Sequence, residues 1–233
     1  VVVAPKATAR RAGQHRGLNR GSLTRELIVG AALRILDEGT AAGLTFARLG
    51  KELGASPTAV YRHFPSRESI VIAVADELIR LAIEDYEPSD VWEDSLRDLA
   101  ERAWNTFAQH PAAAMHTFYR VTRGPHEIAA VDAILAAVHQ AGWTGREAVL
   151  HYQTFSTLVL ALSGSNAARL SASLDRAGEG PEWMQEYLPA DPSRVPYVSA
   201  LRDDLPQTDR RRVFQRLVEV LLDTMRADLP AKS

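Results

Sequence analysis

From Thr24 onward, apolar residues return at steps of three and four. Leu27, Ile28, Ala31, Ala32, Ile35 and Leu36 form one stripe, which predicts an amphipathic first helix ending near Gly39. Thr45 is placed to cap a second helix of about two turns, with Leu49 and Leu53 inward and Gly54 suited to a left-handed terminus. Ser56 then offers an N-cap and Pro57 a first helical residue, where the missing N–H costs nothing; Val60 and Phe64 share one face of this third helix. Pro65 stops it. Ser66 caps a fourth helix, running to about Asp85, with Glu68 near its positive end and Ile70, Val71, Val74, Leu78 and Leu81 along one side.

Beyond Pro88 the pattern remains helical over 90–109, 111–121, 125–141 and 144–170. No strand-like alternation competes with it. Five prolines between Ser171 and Pro206 (Pro181, Pro189, Pro192, Pro196 and Pro206) predict a long connection with at most short helical turns. A last helix is expected from about Thr208, with Val213, Phe214, Leu217, Val218, Leu221, Leu222 and Met225 forming a wide apolar face. Residues 1–22 carry Lys6, Arg10, Arg11, Arg16 and Arg20 without an acid or an apolar period, and read as a basic, disordered arm. The fold class is therefore all-α.

Charge adds a division that periodicity does not. Residues 1–67 hold 11 Lys and Arg against 4 Asp and Glu, while the rest hold 16 against 25, so balances of +7 and −9 lie behind a net charge of −2. A basic end on an acidic body points to one segment that meets a polyanion and another with a different task. The 233 residues are 46% hydrophobic, which suits a folded soluble chain, and no apolar run nears the roughly 18 residues of a membrane span. Val1 to Ala4 is too short for the core of an export signal, and there is no cysteine; disulfides, thiolate catalysis and cysteine-held zinc drop out, and a cytoplasmic location is expected.

The second and third helices, joined through Gly54, Ala55 and Ser56, describe a helix-turn-helix whose second helix enters a DNA major groove. Pro57, Thr58, Tyr61 and Arg62 lie opposite the Val60 and Phe64 anchors, where they reach bases or phosphates, with His63 and Arg67 alongside. Thr45 and Ser56 cap helices and so bring N–H groups toward phosphate; Arg48 is a further contact candidate. The run from Leu44 to Glu68 resembles the DNA-binding domain of TetR-type transcriptional repressors, with Thr45, Gly54, Tyr61, His63 and Phe64 at the family's spacing. Arg67 stands where that family usually has a phosphate-touching lysine, and Pro57 restricts the start of the recognition helix. The resemblance implies an all-helical C-terminal domain that dimerises and binds a small effector, in a regulator bound to an inverted-repeat operator.

This gives a division into an arm (1–22), a DNA-binding domain (23–68), a connecting helix (69–87), an effector and dimerisation domain (88–228) and a tail (229–233). Helices at about 144–170 and 208–227 are expected to form the homodimer contact, the former carrying Leu150, Phe155, Leu158, Val159, Leu162 and Leu170 with small residues such as Ala161 and Gly164. Trp104, Phe107, Met115, Phe118, Tyr119, Trp143, Tyr152 and Phe155 are candidates for an effector pocket, although any helical core contains such residues. Trp183 and Tyr187 in the proline-rich connection suit either a pocket lid or a dimer contact. No catalytic signature is present: Gly-x-Ser-x-Gly, His-Glu-x-x-His and a phosphate-binding glycine loop are all missing. The expectation is a non-enzymatic, effector-released repressor of double-stranded DNA with no cofactor, metal or membrane partner. Control by a protein partner, or activation in place of repression, stays open at this level.

Overall fold

A computed structural model describes residues 23–38, 43–175, 193–207 and 209–229. Its described residues form ten α-helices and one short 3-10 turn, with no strand. They are α1 (Arg25–Asp37), α2 (Phe46–Leu53), α3 (Pro57–His63), α4 (Arg67–Ile83), α5 (Trp92–Gln109), α6 (Pro111–Thr117), α7 (Pro125–Gln140), α8 (Gly145–Asp175), α9 (Pro196–Ala200) and α10 (Arg210–Ala227). The arm at 1–22, Gly39, Pro181, Trp183, Met184, Tyr187, Pro189, Pro192 and Thr208 lie outside the described residues.

Local chemistry accounts for the first four boundaries. Thr24, Thr45 and Ser56 each accept a hydrogen bond from the backbone N–H three residues on, at 3.3, 3.1 and 3.2 Å. Ser66 and Ser69 cap reciprocally, each hydroxyl taking the other's backbone N–H. Between α2 and α3, Gly54 adopts φ +61°, and the Ala55 N–H returns to the Gly50 carbonyl at 2.8 Å. Gly50 is needed for the same turn, because a Cβ there would lie 2.7 Å from the Ala55 carbonyl oxygen.

Three boundaries differ from the periodicity. α6 ends at Thr117, short of the expected 121; residues 118–124 form a turn in which Arg123 has φ +54° and Gly124 leads into Pro125 at the head of α7. α8 runs five residues past 170. α10 starts at Arg210, capped by Asp209, which accepts from the Arg211 N–H at 2.9 Å. The proline-rich stretch also holds α9 as one short helical element, where Tyr197 is almost fully exposed.

Two apolar cores form. The first gathers Ile28, Ile35, Leu36, Leu44, Leu49, Val60, Phe64, Ile70 and Val74 from α1 to α4 and continues into Phe107 of α5, Ala113 and Ala114 of α6 and Ala167 of α8. The second joins α5, α7, α8 and α10 through Leu96, Trp104, Val138, Phe155, Phe214 and Leu222. The α1–α3 unit thus sits against the body through shared core, reinforced where the Asp37 carboxylate meets His110 Nδ1 at 2.7 Å. Gly164, expected to favour close approach of helices, instead receives the Phe118 ring of the same chain; a Cβ would lie 2.5 Å from it.

Candidate nucleic-acid interface and the cavity behind it

Val60 and Phe64 are fully buried, and this orients α3. Pro57, Thr58, Tyr61 and Arg62 consequently face outward, with Ser56 exposed at the head of the helix. Tyr61, half exposed, is not a loose surface ring: it stacks on Phe46 with centroids 3.7 Å apart and planes 4° from parallel. The contact fixes the tyrosine's direction from the first residue of α2. His63 is half-buried, and its carbonyl accepts from Arg25 Nη1 at 2.5 Å while the Arg25 guanidinium lies 4.0 Å from the centre of the Phe64 ring. Phe46 and Arg25 were invisible to spacing because each acts across elements; only the aromatic at the head of α2, one residue after a cap, hinted at a partner.

The remaining predicted contacts divide by environment. Thr45 is exposed and spends its hydroxyl on the cap of α2. Arg48 is drawn aside to Glu38, 2.8 Å away, in an exposed ion pair of the weak surface kind. Arg67 is exposed and donates through Nε to the Leu44 carbonyl at 3.2 Å, which joins the start of α4 to the residue before the α2 cap. Burial, then the charges of Arg67 and Arg120, hold His116 on α6 below the usual imidazole pKa. Arg67 therefore stands where the helix-turn-helix meets the body.

Behind this surface is a cavity of about 140 Å³ between α4, α5, α6, α7 and α8. Of the residues expected in a pocket, Phe107, Phe118, Tyr152 and Phe155 line it. Trp104 does not, because it stacks on Phe214 at 4.5 Å in the second core. Trp143 is likewise buried away from the cavity, against Trp92 and His151. Tyr119 points to solvent, 62% exposed, and half-buried Met115 is not in the wall. The wall that sequence reasoning missed is α4, which contributes Ala75, Leu78, Ile79, Ala82 and Ile83; its apolar stripe reads equally as ordinary core. Polar groups are few: Arg120, Glu127, Thr117, Tyr152 and Ser156, whose buried hydroxyl has no partner among the described residues.

Next to the cavity, buried Asp76 ties α4 to the head of α7. Its Oδ1 accepts from the Glu127 N–H and from Thr122 Oγ1, both at 3.0 Å, and its Oδ2 lies 2.8 Å from His126 Nδ1. A carboxylate from α4 thereby satisfies a first-turn N–H of another helix. Among the described residues no cluster of three or more His, Asp or Glu is arranged to hold a metal, and no helix is long and apolar enough to cross a membrane.

α8 and α10 each show a second, outward apolar face. Phe214, Val218, Leu222 and Met225 are buried, whereas Val213, Leu217 and Val220 on the same helix are exposed, as are Val149 and Leu150 of α8. The expected wide face of α10 thus splits into a core stripe and an open stripe.

A helix-turn-helix packed on a larger all-helical body is the architecture of a DNA-binding regulator. The chain belongs to the tetR family of bacterial regulatory proteins: the family's N-terminal model matches residues 28–74, and the tetracyclin repressor-like C-terminal domain matches residues 86–229. Relatives are transcriptional regulators. The HTH-type transcriptional repressor Rv1353c of Mycobacterium tuberculosis is 24% identical over 194 residues, covering 80% of this chain and 73% of its own length. An HTH-type transcriptional regulator of Saccharopolyspora erythraea is 30% identical over 131 residues, 55% of this chain and 54% of its own. In fold the chain is similar to Streptomyces coelicolor ActR in complex with actinorhodin (TM-score 0.75, 23% identity, 90% of this chain and 100% of the other). It is also similar to BioQ with its double-stranded DNA operator (TM-score 0.63, 21% identity, 88% and 99%).

Proposed function

We propose that this regulator is a homodimeric repressor that holds an inverted-repeat operator through α3 and releases it when a small effector enters the cavity lined by α4. The observation that carries the reading is the outward face of α3, where Tyr61 is held ready by Phe46 while the opposite face is anchored in the first core. Thr58, Tyr61 and Arg62 are assigned to base edges and phosphates, and Pro57 to close approach at the head of the helix. Thr45, Ser56, His63 and Arg67 are assigned to the flanking backbone, with Arg48 joining once it leaves Glu38. Residues 23–68 form the DNA-binding unit, 69–87 the connecting helix and 88–228 the sensing and dimerising unit.

The open stripes of α8 and α10 support the dimer, since five large apolar residues exposed on two adjacent helices are what a two-fold four-helix contact covers. Such a dimer places two α3 helices about one DNA turn apart. Phe107, Phe118, Tyr152 and Phe155 contact the effector, and α4, being both cavity wall and the helix that leaves the DNA-binding unit, carries the response. That BioQ has been seen with its operator and ActR with actinorhodin supports both halves of the reading.

The test is selection of binding sites from random duplex DNA, followed by salt titration of the best site. An inverted repeat bound by two chains, with affinity falling steeply as salt rises and markedly weakened in Tyr61→Ala, is the expected result. Binding that is salt-sensitive but indifferent to sequence would refute it.

A further inference from the structure

Among the residues that line the cavity Arg120 is the cation, entering from the turn after α6. Its guanidinium makes three hydrogen bonds: Nε donates to the His116 carbonyl at 2.9 Å, Nη1 to the Glu68 carboxylate, and Nη2 to the Tyr119 hydroxyl at 3.3 Å. A guanidinium has five N–H donors, so two are unengaged among the described residues. Glu68 stands in the first turn of α4, directly after Arg67. One side chain therefore touches both the cavity and the start of the helix that leaves the DNA-binding unit.

The cavity's acid is committed elsewhere. Glu127 Oε2 accepts from the Arg123 N–H at 2.5 Å and lies 2.9 Å from Thr122 Oγ1, whose single proton it shares with Asp76 Oδ1, within the same turn that Asp76 fastens. Arg67 lies close enough that it and Arg120, after burial, disfavour protonation of His116. Glu68 is the facing anion, and its side chain is more than half exposed. It can turn to water at little cost, whereas a carboxylate inside the cavity has no such escape and must be paired. The buried, unpartnered Ser156 hydroxyl offers such a ligand a neutral hydrogen bond from the α8 wall.

We infer that the effector is an amphipathic organic acid, an apolar ring system bearing a carboxylate, and that its carboxylate takes Arg120 from Glu68. The inference rests on the reading of this cavity as the effector site. Losing Glu68 frees the first turn of α4 from the turn after α6, so the helix that carries α3 is released at the point nearest the DNA. By linkage, operator DNA that favours the Arg120–Glu68 pair weakens acid binding by the same factor.

The test uses the full chain and calorimetry with naphthalene carboxylate, its neutral carboxamide and the cationic naphthylmethylamine. Wild type is expected to prefer acid to amide by about tenfold or more, the order of a charge-assisted hydrogen bond. Arg120→Gln should remove that preference while amide affinity stays within about threefold, and Glu68→Gln, which removes the competitor, should tighten acid binding alone. Equal binding of acid and amide, or acid affinity unchanged in Glu68→Gln, overturns the inference and leaves the cavity reading standing. Preference for the amine overturns it in favour of Glu127. Binding of none of the three overturns the cavity reading and the inference together. If Arg120→Gln does not fold, the Glu68→Gln result still decides.

Discussion

The stack of Tyr61 on Phe46 makes a prediction that separates positioning from contact. Phe46→Leu keeps an apolar side chain against the first core but removes the parallel ring 3.7 Å from Tyr61. An aromatic pair is worth about 0.5–1.5 kcal/mol beyond its buried area, and the exposed tyrosine then regains rotamers that binding must freeze again. Operator affinity should fall by roughly 2- to 12-fold, the range of that energy at tenfold per 1.4 kcal/mol. If Phe46 acts only by aiming Tyr61, it has nothing to aim in Tyr61→Ala, so Phe46→Leu should cost almost nothing there. The assay is a double-mutant cycle on the selected operator by fluorescence anisotropy at one fixed salt concentration, with far-UV dichroism to confirm that all four proteins fold. A Phe46→Leu penalty of equal size in both backgrounds would refute the positioning role, and no penalty in wild type would show that the stack does not matter to binding.

Two further outcomes follow from the polar groups of the body. Asp76→Ala removes the acceptor of the Glu127 N–H and the partner of Thr122 and His126 at a buried site; a lost cap plus a stranded donor should cost about 2–3 kcal/mol. At about 2–4 °C per kcal/mol for a chain of this size, calorimetry should show a clear fall in melting temperature, larger than that of Asp76→Asn. The hydrogen bond from Arg97 to Glu219, at 2.6 Å, holds the Glu219 pKa below its ordinary value of about 4.5 despite some opposing burial. A depressed carboxylate stabilises the fold above its unfolded pKa and loses that contribution as pH falls through the folded one. The melting difference between wild type and Glu219→Gln should therefore be constant from pH 7 to about 5 and vanish toward the acid end. It should also be small, since both side chains are more than a third exposed; a difference that grew on acidification would contradict the assignment.

The helix-turn-helix was legible because its information is local. Caps at Thr45, Ser56 and Ser66, the left-handed Gly54 and the paired anchors Val60 and Phe64 each act within one or two turns of their own position. The pocket was half legible for the opposite reason. Trp104 and Phe107 are three residues apart on α5, yet one packs on Phe214 and the other faces the cavity. Which aromatic faces which neighbour depends on the placement of α4 and α10, which no periodicity on α5 encodes. The open stripe on α10 was hidden likewise. Val213, Leu217 and Val220 merge with Phe214, Val218 and Leu222 into one apolar arc until a partner helix shows which half is covered.

The continuity of the first core has a consequence for how the protein comes apart. Buried residues of α1 to α4 pack with Phe107, Ala113, Ala114 and Ala167 from the body, and the Asp37–His110 contact spans the same seam. Removing the body would open the apolar surface of α1 and α4 to water at about 25 cal/mol per Å², against the small core that a unit of some 45 residues can build alone. The α1–α3 unit is therefore expected to be a lobe stabilised by α4 to α6, and on the proposed reading this shared core carries a change at the α4 wall to α3 without a flexible linker between them. The described tryptophans, Trp92, Trp104 and Trp143, all lie in the second core, so their fluorescence follows the body, whereas far-UV dichroism follows every helix. Heating should give coincident transitions by the two probes, the mark of one cooperative unit. A dichroism loss that precedes the tryptophan transition would show the DNA-binding lobe melting by itself, and transmission through shared core would then have to give way to an order-to-disorder mechanism.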